Sequence, residues 1–251
     1  MYIVWIVLIS VSIFLILTAL LFGVRRINVP RRVIPEEGIE DIEVVLAYDR
    51  ISKWPQFRLL RMMITNELKK YKPQGILADV GCGPGYLIAD MAKSFPSLSI
   101  IGVDISEEME HKAKKNFERA GLGEKVNFRR GDIQELPFDN NTLDFVVSTL
   151  SLHHWSEPKQ AIQEINRVLK PQGQFLVFDL RRDSWRLIYW ILRFAQLIIL
   201  PSPMRYMNEP TNSFLSSYSP AELDTLMSIS RLDEWKVKPG FFWTFIWGSK
   251  S

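Results

Sequence analysis

The sequence predicts an α/β domain around a mostly parallel sheet. Three observations carry that reading. Ile76 to Val80 has the composition of a buried strand and runs straight into Gly81, Gly83 and Gly85, with the helix-like YLIADMAKSF directly behind. A second apolar run, Leu98 to Asp104, ends in an acid about twenty residues after the glycines. Beyond it, short apolar runs and helical patterns alternate, as they do in βαβ units.

Each element has its own justification. Met1 to Phe22 is apolar almost throughout, broken only by Ser10, Ser12 and Thr18, whose hydroxyls can bond back to helix carbonyls. A run of about twenty such residues spans the hydrocarbon of a bilayer. No Lys or Arg precedes it and no A-x-A pattern follows, which argues against a cleaved signal peptide. Arg25, Arg26, Arg31 and Arg32 come just after, so the positive-inside rule puts the rest of the chain in the cytoplasm. The expectation is a single-pass transmembrane anchor over 1–24, a juxtamembrane linker over 25–38 with Pro30 and Pro35, and a folded domain over 39–251.

From Ile39 to Tyr71 the pattern is helical, with Phe57, Leu60, Ile64 and Leu68 on one face and Pro55 near a first turn. Ser106 followed by Glu107 and Glu108 starts a helix after the second strand, and Gly121 stops it. Val126 to Arg130 reads as the third strand and Leu143 to Ser148 as the fourth. Pro158 opens a helix that runs to Leu169, and Gly173 to Asp179 is the fifth strand. Ser219-Pro220-Ala221-Glu222 is a capping box with proline at the first turn. Two closing strands, about Glu234 to Lys238 and Phe241 to Trp247, turn around Pro239-Gly240.

An insertion over 180–216 precedes that capping box. Within it, WRLIYWILRFAQLIIL is apolar enough to suggest a second span, but Arg186, Arg193 and Gln196 interrupt it. At roughly 100° per residue, Arg182, Arg186, Tyr189, Arg193 and Gln196 share one stripe of an otherwise apolar cylinder. That pattern suits a helix lying in a membrane interface, the other reading being a lid packed on the domain.

Glycine serves the loop after the first strand because the backbone must take positive φ and admit a ligand at close range. The spacing is G-x-G-x-G, not the G-x-G-x-x-G of dinucleotide-binding proteins. An acid at the end of the second strand can accept from both ribose hydroxyls of an adenosine. Five ordered stretches, DVGCGPG, GVDIS, GDIQELPF, LDFVVSTLSLHHW and RVLKPQGQFLVFD, resemble the class I S-adenosylmethionine (SAM)-dependent methyltransferases, particularly their small type 11 group. They reach from about Ile76 to Asp179, and there is a general likeness to quinone-biosynthesis C-methyltransferases.

The resemblance implies a Rossmann-like, seven-stranded, mostly parallel sheet with a C-terminal antiparallel hairpin, and SAM as cofactor. It implies cofactor contacts from Asp79, Gly81, Cys82, Gly83 and Gly85, from Asp104 and Ile105, from Asp132 and Ile133, and from Thr149. Cys82 is the sole cysteine, so no intrachain disulfide exists, and from the residues alone it reads as a small filler in the tight loop. Tyr48 to Ser52 resembles the element that folds over the cofactor, though a surface helix would look the same.

Methyl transfer is a direct displacement, so the protein chiefly holds the reacting atoms in line. A base is needed only for a protonated acceptor. His153 and His154, after the fourth strand, are the candidates, with Asp49 and Asp179 nearby. Two adjacent histidines without a third ligand argue against a metal. With 31 basic and 28 acidic side chains, charge gives no case for nucleic acid. The N/D-P-P-Y signature of amino-group methyltransferases is replaced by STLS. The function expected is a membrane-anchored methyltransferase acting on a small, lipophilic acceptor through an oxygen or carbon nucleophile. The competing class is a SAM-binding protein without turnover, serving as a regulatory or tethered interaction module.

Overall fold

The computed structural model describes residues 5, 9–14, 17, 23, 25–33, 39–122, 126–230, 232 and 234–251. Two helices come first, α1 (Ile42–Ser52) and α2 (Pro55–Leu68). Strand β1 (Ile76–Val80), α3 (Tyr86–Ser94), β2 (Ser99–Asp104), α4 (Glu107–Arg119) and β3 (Val126–Arg130) follow in strict alternation. Strand β4 (Leu143–Thr149), α5 (Pro158–Val168) and β5 (Leu169–Leu180) complete the parallel part. The insertion holds α6 (Arg186–Phe194), a π-helical turn (Ala195–Ile199), α7 (Ser202–Tyr206) and α8 (Thr211–Ser216). Helix α9 (Pro220–Ser228) and strands β6 (Glu234–Pro239) and β7 (Trp243–Ser249) close the chain.

The seven strands lie in the order β3-β2-β1-β4-β5-β7-β6, with β7 antiparallel to both neighbours. Strand order reverses between β1 and β4, and in open α/β sheets the crevice above such a reversal is where ligands bind. Both faces of the sheet's centre are covered, which is why β1, β2 and β4 are apolar nearly throughout rather than alternating, whereas the edge strands β3 and β6 carry exposed polar residues. One face buries Val80, Val103 and Val146 against Ile162, Ile165 and Leu223 of α5 and α9. The other buries Leu77, Ile100 and Val147 against Ile64, Ile88 and Met91 of α2 and α3.

Both caps read from the sequence are present. The Ser106 hydroxyl accepts from the Met109 amide at 3.1 Å, and Ser219 and Glu222 form a reciprocal capping box. The closing hairpin starts its second strand two residues later than the pattern suggests. The Gly240 amide donates to the Trp243 carbonyl at 2.7 Å, and the Trp243 indole covers the glycine so closely that any β-carbon there would collide with it.

The insertion departs most from expectation. A long regular helix does not form, and three members of the polar stripe, Arg182, Tyr189 and Gln196, pack on the domain, while Arg186 and Arg193 are half-buried. Arg182 precedes α6 and is buried, donating to Val29 O at 2.9 Å, Ser217 O at 2.6 Å and Glu222 Oε1 at 2.7 Å. Gln196 is buried against Thr211 and Asn208, and the Tyr189 ring lies on Phe214. Buried polar groups need partners, and the domain supplies them where lipid headgroups were expected to.

The transmembrane expectation for 1–24 falls mostly outside the described residues. Those described within it, Trp5, Ile9 to Phe14, Leu17 and Gly23, are helical. Among the described residues no helix is long and apolar enough to cross a membrane.

Candidate functional site

A cavity of about 250 Å³ opens at the C-terminal ends of β1 and β4, where the strand order reverses. Its floor is the glycine loop. The Gly81 and Cys82 amides both donate to the Val103 carbonyl, at 2.8 and 3.0 Å, which pins the loop to the end of β2. Gly81, Gly83 and Gly85 all have positive φ. A β-carbon on Gly81 would lie 2.7 Å from Ser151 Oγ, whereas one on Gly83 would meet nothing within 4 Å. The first glycine is required by packing and the second faces open cavity, as a ligand cradle does.

Asp104 organises the loop from the side. Its carboxylate accepts from the Gly83 amide at 2.7 Å and the Ser106 amide at 3.0 Å, and the residue is buried. Burial raises its pKa to about 6 against those two amide bonds, so the carboxylate is ionised at neutral pH. Ile105, Asp132, Ile133 and Thr149 line the same cavity. Asp132 is held by the Gln134 amide at 2.9 Å, a local Asx turn that turns its carboxyl group inward.

Asp79 lies elsewhere. It is fully enclosed beneath the loop, does not line the cavity, and among the described residues neither carboxyl oxygen has a hydrogen-bond partner. Burial, with the nearby Asp104 charge adding, pushes its pKa up to about 8. Such a group is an acid kept neutral until something cationic approaches. Its stabilising, protonated form is complete below the unfolded value of 3.8 and is lost as pH rises through about 8. The thermal midpoint should therefore fall from about pH 4 to about pH 8 and this contribution should level off above that, and Asp79→Asn, which has no proton to lose, should flatten that slope. An equal slope in the variant would mean that Asp79 ionises as an ordinary carboxyl group.

The two histidines part company. Leu150 takes φ +54 after β4, which swings the chain into a short turn over Leu152–His154. His154 lines the cavity, and its pKa is lowered to about 3 by burial and by His153 beside it, the ring centroids being 4.2 Å apart. It is a neutral imidazole at any working pH. His153 does not line the cavity. It is buried, its Nδ1 sits 2.8 Å from Asp179 Oδ1, and its amide donates to Asp179 Oδ2 at 2.9 Å. Burial alone would lower its pKa, but the Asp179 carboxylate outweighs that and raises it. Asp49 is also committed: it accepts from Lys53, Tyr86 and Asn116 at 2.8 Å and pairs with Lys112 at 3.0 Å. Burial opposes ionisation there, yet those four partners bring the pKa down to about 2.

The cavity's remaining wall is mostly apolar. Phe57, Leu60 and Ile64 of α2 line it together with Leu150, Trp155 and, from α1, Tyr48, and Ser52, Arg61 and Gln134 are polar members of the same wall. The Asp49 network ties α1 to α3 and α4, so the segment Tyr48 to Ser52 does cover the site. Helical periodicity places the α2 residues on one face without saying whether protein or ligand fills the space in front of it.

Residues 78–177 match the "Methyltransferase domain" family model. That stretch contains the glycine loop, Asp79, Asp104, Asp132 and both histidines. The chain carries a class I SAM-dependent methyltransferase domain. This methyltransferase domain is 36% identical over 126 residues to the biotin biosynthesis bifunctional protein of Teredinibacter turnerae, a match covering 45% of this chain and 22% of that one. It is 25% identical over 177 residues to the demethylmenaquinone methyltransferase of Bacteroides fragilis, covering 69% and 71%. The chain spans less than two-thirds of the length of the first curated relatives it matches. Among solved structures, a SAM-dependent methyltransferase from Aquifex aeolicus shares the fold with a TM-score of 0.60 at 18% identity, covering 84% of this chain and 99% of that one.

The residues of the methyltransferase domain fit SAM. Gly83 leaves an open cradle, Asp104 and Asp132 present carboxylates from adjacent strand ends, and Asp79 is a buried, unpartnered acid beneath the loop.

Proposed function

We propose that this chain is a membrane-anchored methyltransferase that moves the SAM methyl group to a small, lipophilic acceptor through an oxygen or carbon nucleophile, with its domain on the cytoplasmic side. SAM, when bound, supplies an electrophilic methyl carbon on a sulfonium. Asp104 and Asp132 hold the adenosine end and the glycine loop admits the methionine end. The observation that carries the acceptor class is the cavity wall itself: beyond the polar loop it is built mostly from Phe57, Leu60, Ile64, Leu150 and Trp155, with Ser52, Arg61 and Gln134 among them. An apolar wall beside a polar floor selects an acceptor that is mostly hydrocarbon or aromatic. The name of the Bacteroides fragilis relative, demethylmenaquinone methyltransferase, supports that class.

His154 is the polar side chain on the acceptor side that is free to turn a hydrogen-bonding nitrogen toward a substrate. Being neutral, it orients an acceptor as a hydrogen-bond partner and does not store a proton. His153 and Asp179 hold the turn that carries it.

The full chain in phospholipid vesicles, given methyl-labelled SAM and a lipid extract from cells lacking this protein, should form S-adenosylhomocysteine and transfer label to the organic phase. His154→Ala should lower kcat by about tenfold or more, as loss of an orienting contact does, with SAM affinity unchanged. Label confined to water-soluble product would overturn the lipophilic acceptor. Bound SAM that is never converted would favour a binding protein without turnover.

A further inference from the structure

The outward face of the insertion is apolar. Trp190, Ile191, Phe194, Leu197, Ile198 and Ile199 are each between 50% and 68% exposed, and they are contiguous along α6 and the π-helical turn. On the polar side of this element Gln196 and Tyr189 pack inward, and Arg186 and Arg193 are half-buried. Soluble surfaces rarely leave such a continuous patch uncovered.

What covers it is indicated by where the N-terminal run arrives. Residues 25–33 form a strap along the insertion. The Ile27 amide donates to Ser184 O at 3.0 Å, the Arg186 amide to Arg25 O at 2.9 Å, and the Arg32 amide to Leu215 O at 3.0 Å. Just before the strap, Gly23 lies so close to α6 that a β-carbon on it would be 3.1 Å from Leu187 Cβ. Gly23, the first residue after the apolar run, therefore stands beside the first turn of α6. Around the edge of the exposed face stand exposed Arg25, Arg26 and Arg205, together with exposed Phe241 and Tyr206. Cations and aromatic rings bordering an apolar face match the headgroup layer of an anionic bilayer.

We infer that the outward face of α6 and the π-helical turn is a bilayer-docking surface, seated among the lipids beside the anchor. This rests on the anchored reading above and fixes how the domain sits. The strap leaves the anchor and the face no freedom to separate. Behind the face, Leu200 and Met204 pack on Val44, Ala47 and Ile51 of α1, the helix that covers the cavity. The docked surface thus lies one layer from the cavity's cover, on the side from which a lipid-dissolved acceptor would come.

The test uses the full chain in vesicles of phosphatidylglycerol and phosphatidylcholine, with a nitroxide on Ile198→Cys or, as a control, Ile229→Cys at the end of α9. Cys82 is buried, and labelling of the unsubstituted chain sets the background. The label at 198 should be reached by oxygen and shielded from an aqueous nickel chelate, while the label at 229 behaves oppositely. Equal exposure of both to nickel would overturn the docking surface, and dipolar broadening between labels at 198 would assign the face to a second copy instead. Alkaline carbonate extraction separates the two readings. Release of the protein with 198 shielded before release would leave docking standing without a span. Retention with 198 in water would leave the span standing without docking.

Discussion

Asp104→Ala should weaken SAM binding by about two orders of magnitude or more in calorimetry, with the fold preserved by circular dichroism. Two ribose hydroxyls would each lose a charged acceptor, and such bonds are worth roughly 1.5–3 kcal/mol apiece. About 1.4 kcal/mol is a tenfold change. The structure adds a second route to the same loss, because the carboxylate also fixes the Gly83 and Ser106 amides at 2.7 and 3.0 Å. Asp104→Asn should recover only part of the affinity, since its amide group would turn a donor toward one of those N–H groups. With the wild-type pKa raised to about 6 by burial, affinity should also decline below that pH as the carboxylate takes a proton. Unchanged affinity in the alanine variant would mean that the ribose lies elsewhere.

Arg182→Ala should be the most destabilising single change in the insertion. It removes a buried guanidinium from Val29 O, Ser217 O and Glu222 Oε1 together. Glu222 remains 40% exposed and can rehydrate, so most of the cost comes from the two carbonyls and the space left behind. A loss of about 2–4 kcal/mol is expected, which for a chain of this size lowers Tm by roughly 5–15 °C. Arg182→Lys should not rescue it, because one ammonium cannot span three divergent acceptors. Hydrogen exchange at the Ile27 and Arg32 amides should accelerate in both variants. A melting temperature unmoved by the alanine substitution would show that the strap is held without Arg182.

The parallel core could be read from the chain because its signals are local. A strand entering Gly81, a Ser106 cap and a Ser219 capping box each depend on a few adjacent residues, and each forms where the pattern puts it. The cavity's polar floor was readable for the same reason. The insertion was not. Periodicity placed Arg182 and Gln196 on one polar stripe suited to a membrane interface, whereas their partners, Glu222, Thr211 and Asn208, come from segments a helical wheel does not contain. Asp49 and His153 show the same limit. Either looked free to act as a base, and burial with committed partners removes that freedom.

The strap has a consequence for the order in which the protein is made. Arg31 and Ser216, joined by a 2.7 Å bond, are 185 residues apart in sequence, and Val29 and Arg182 are 153 apart. A ribosome adding 5–20 residues per second needs roughly 10–30 s to travel from one to the other. During that interval the residues following the apolar run have no partners, and the run leaves the ribosome well before those partners are made. Whatever surface receives it does so before the domain exists, and closing the strap is among the last events of biosynthesis.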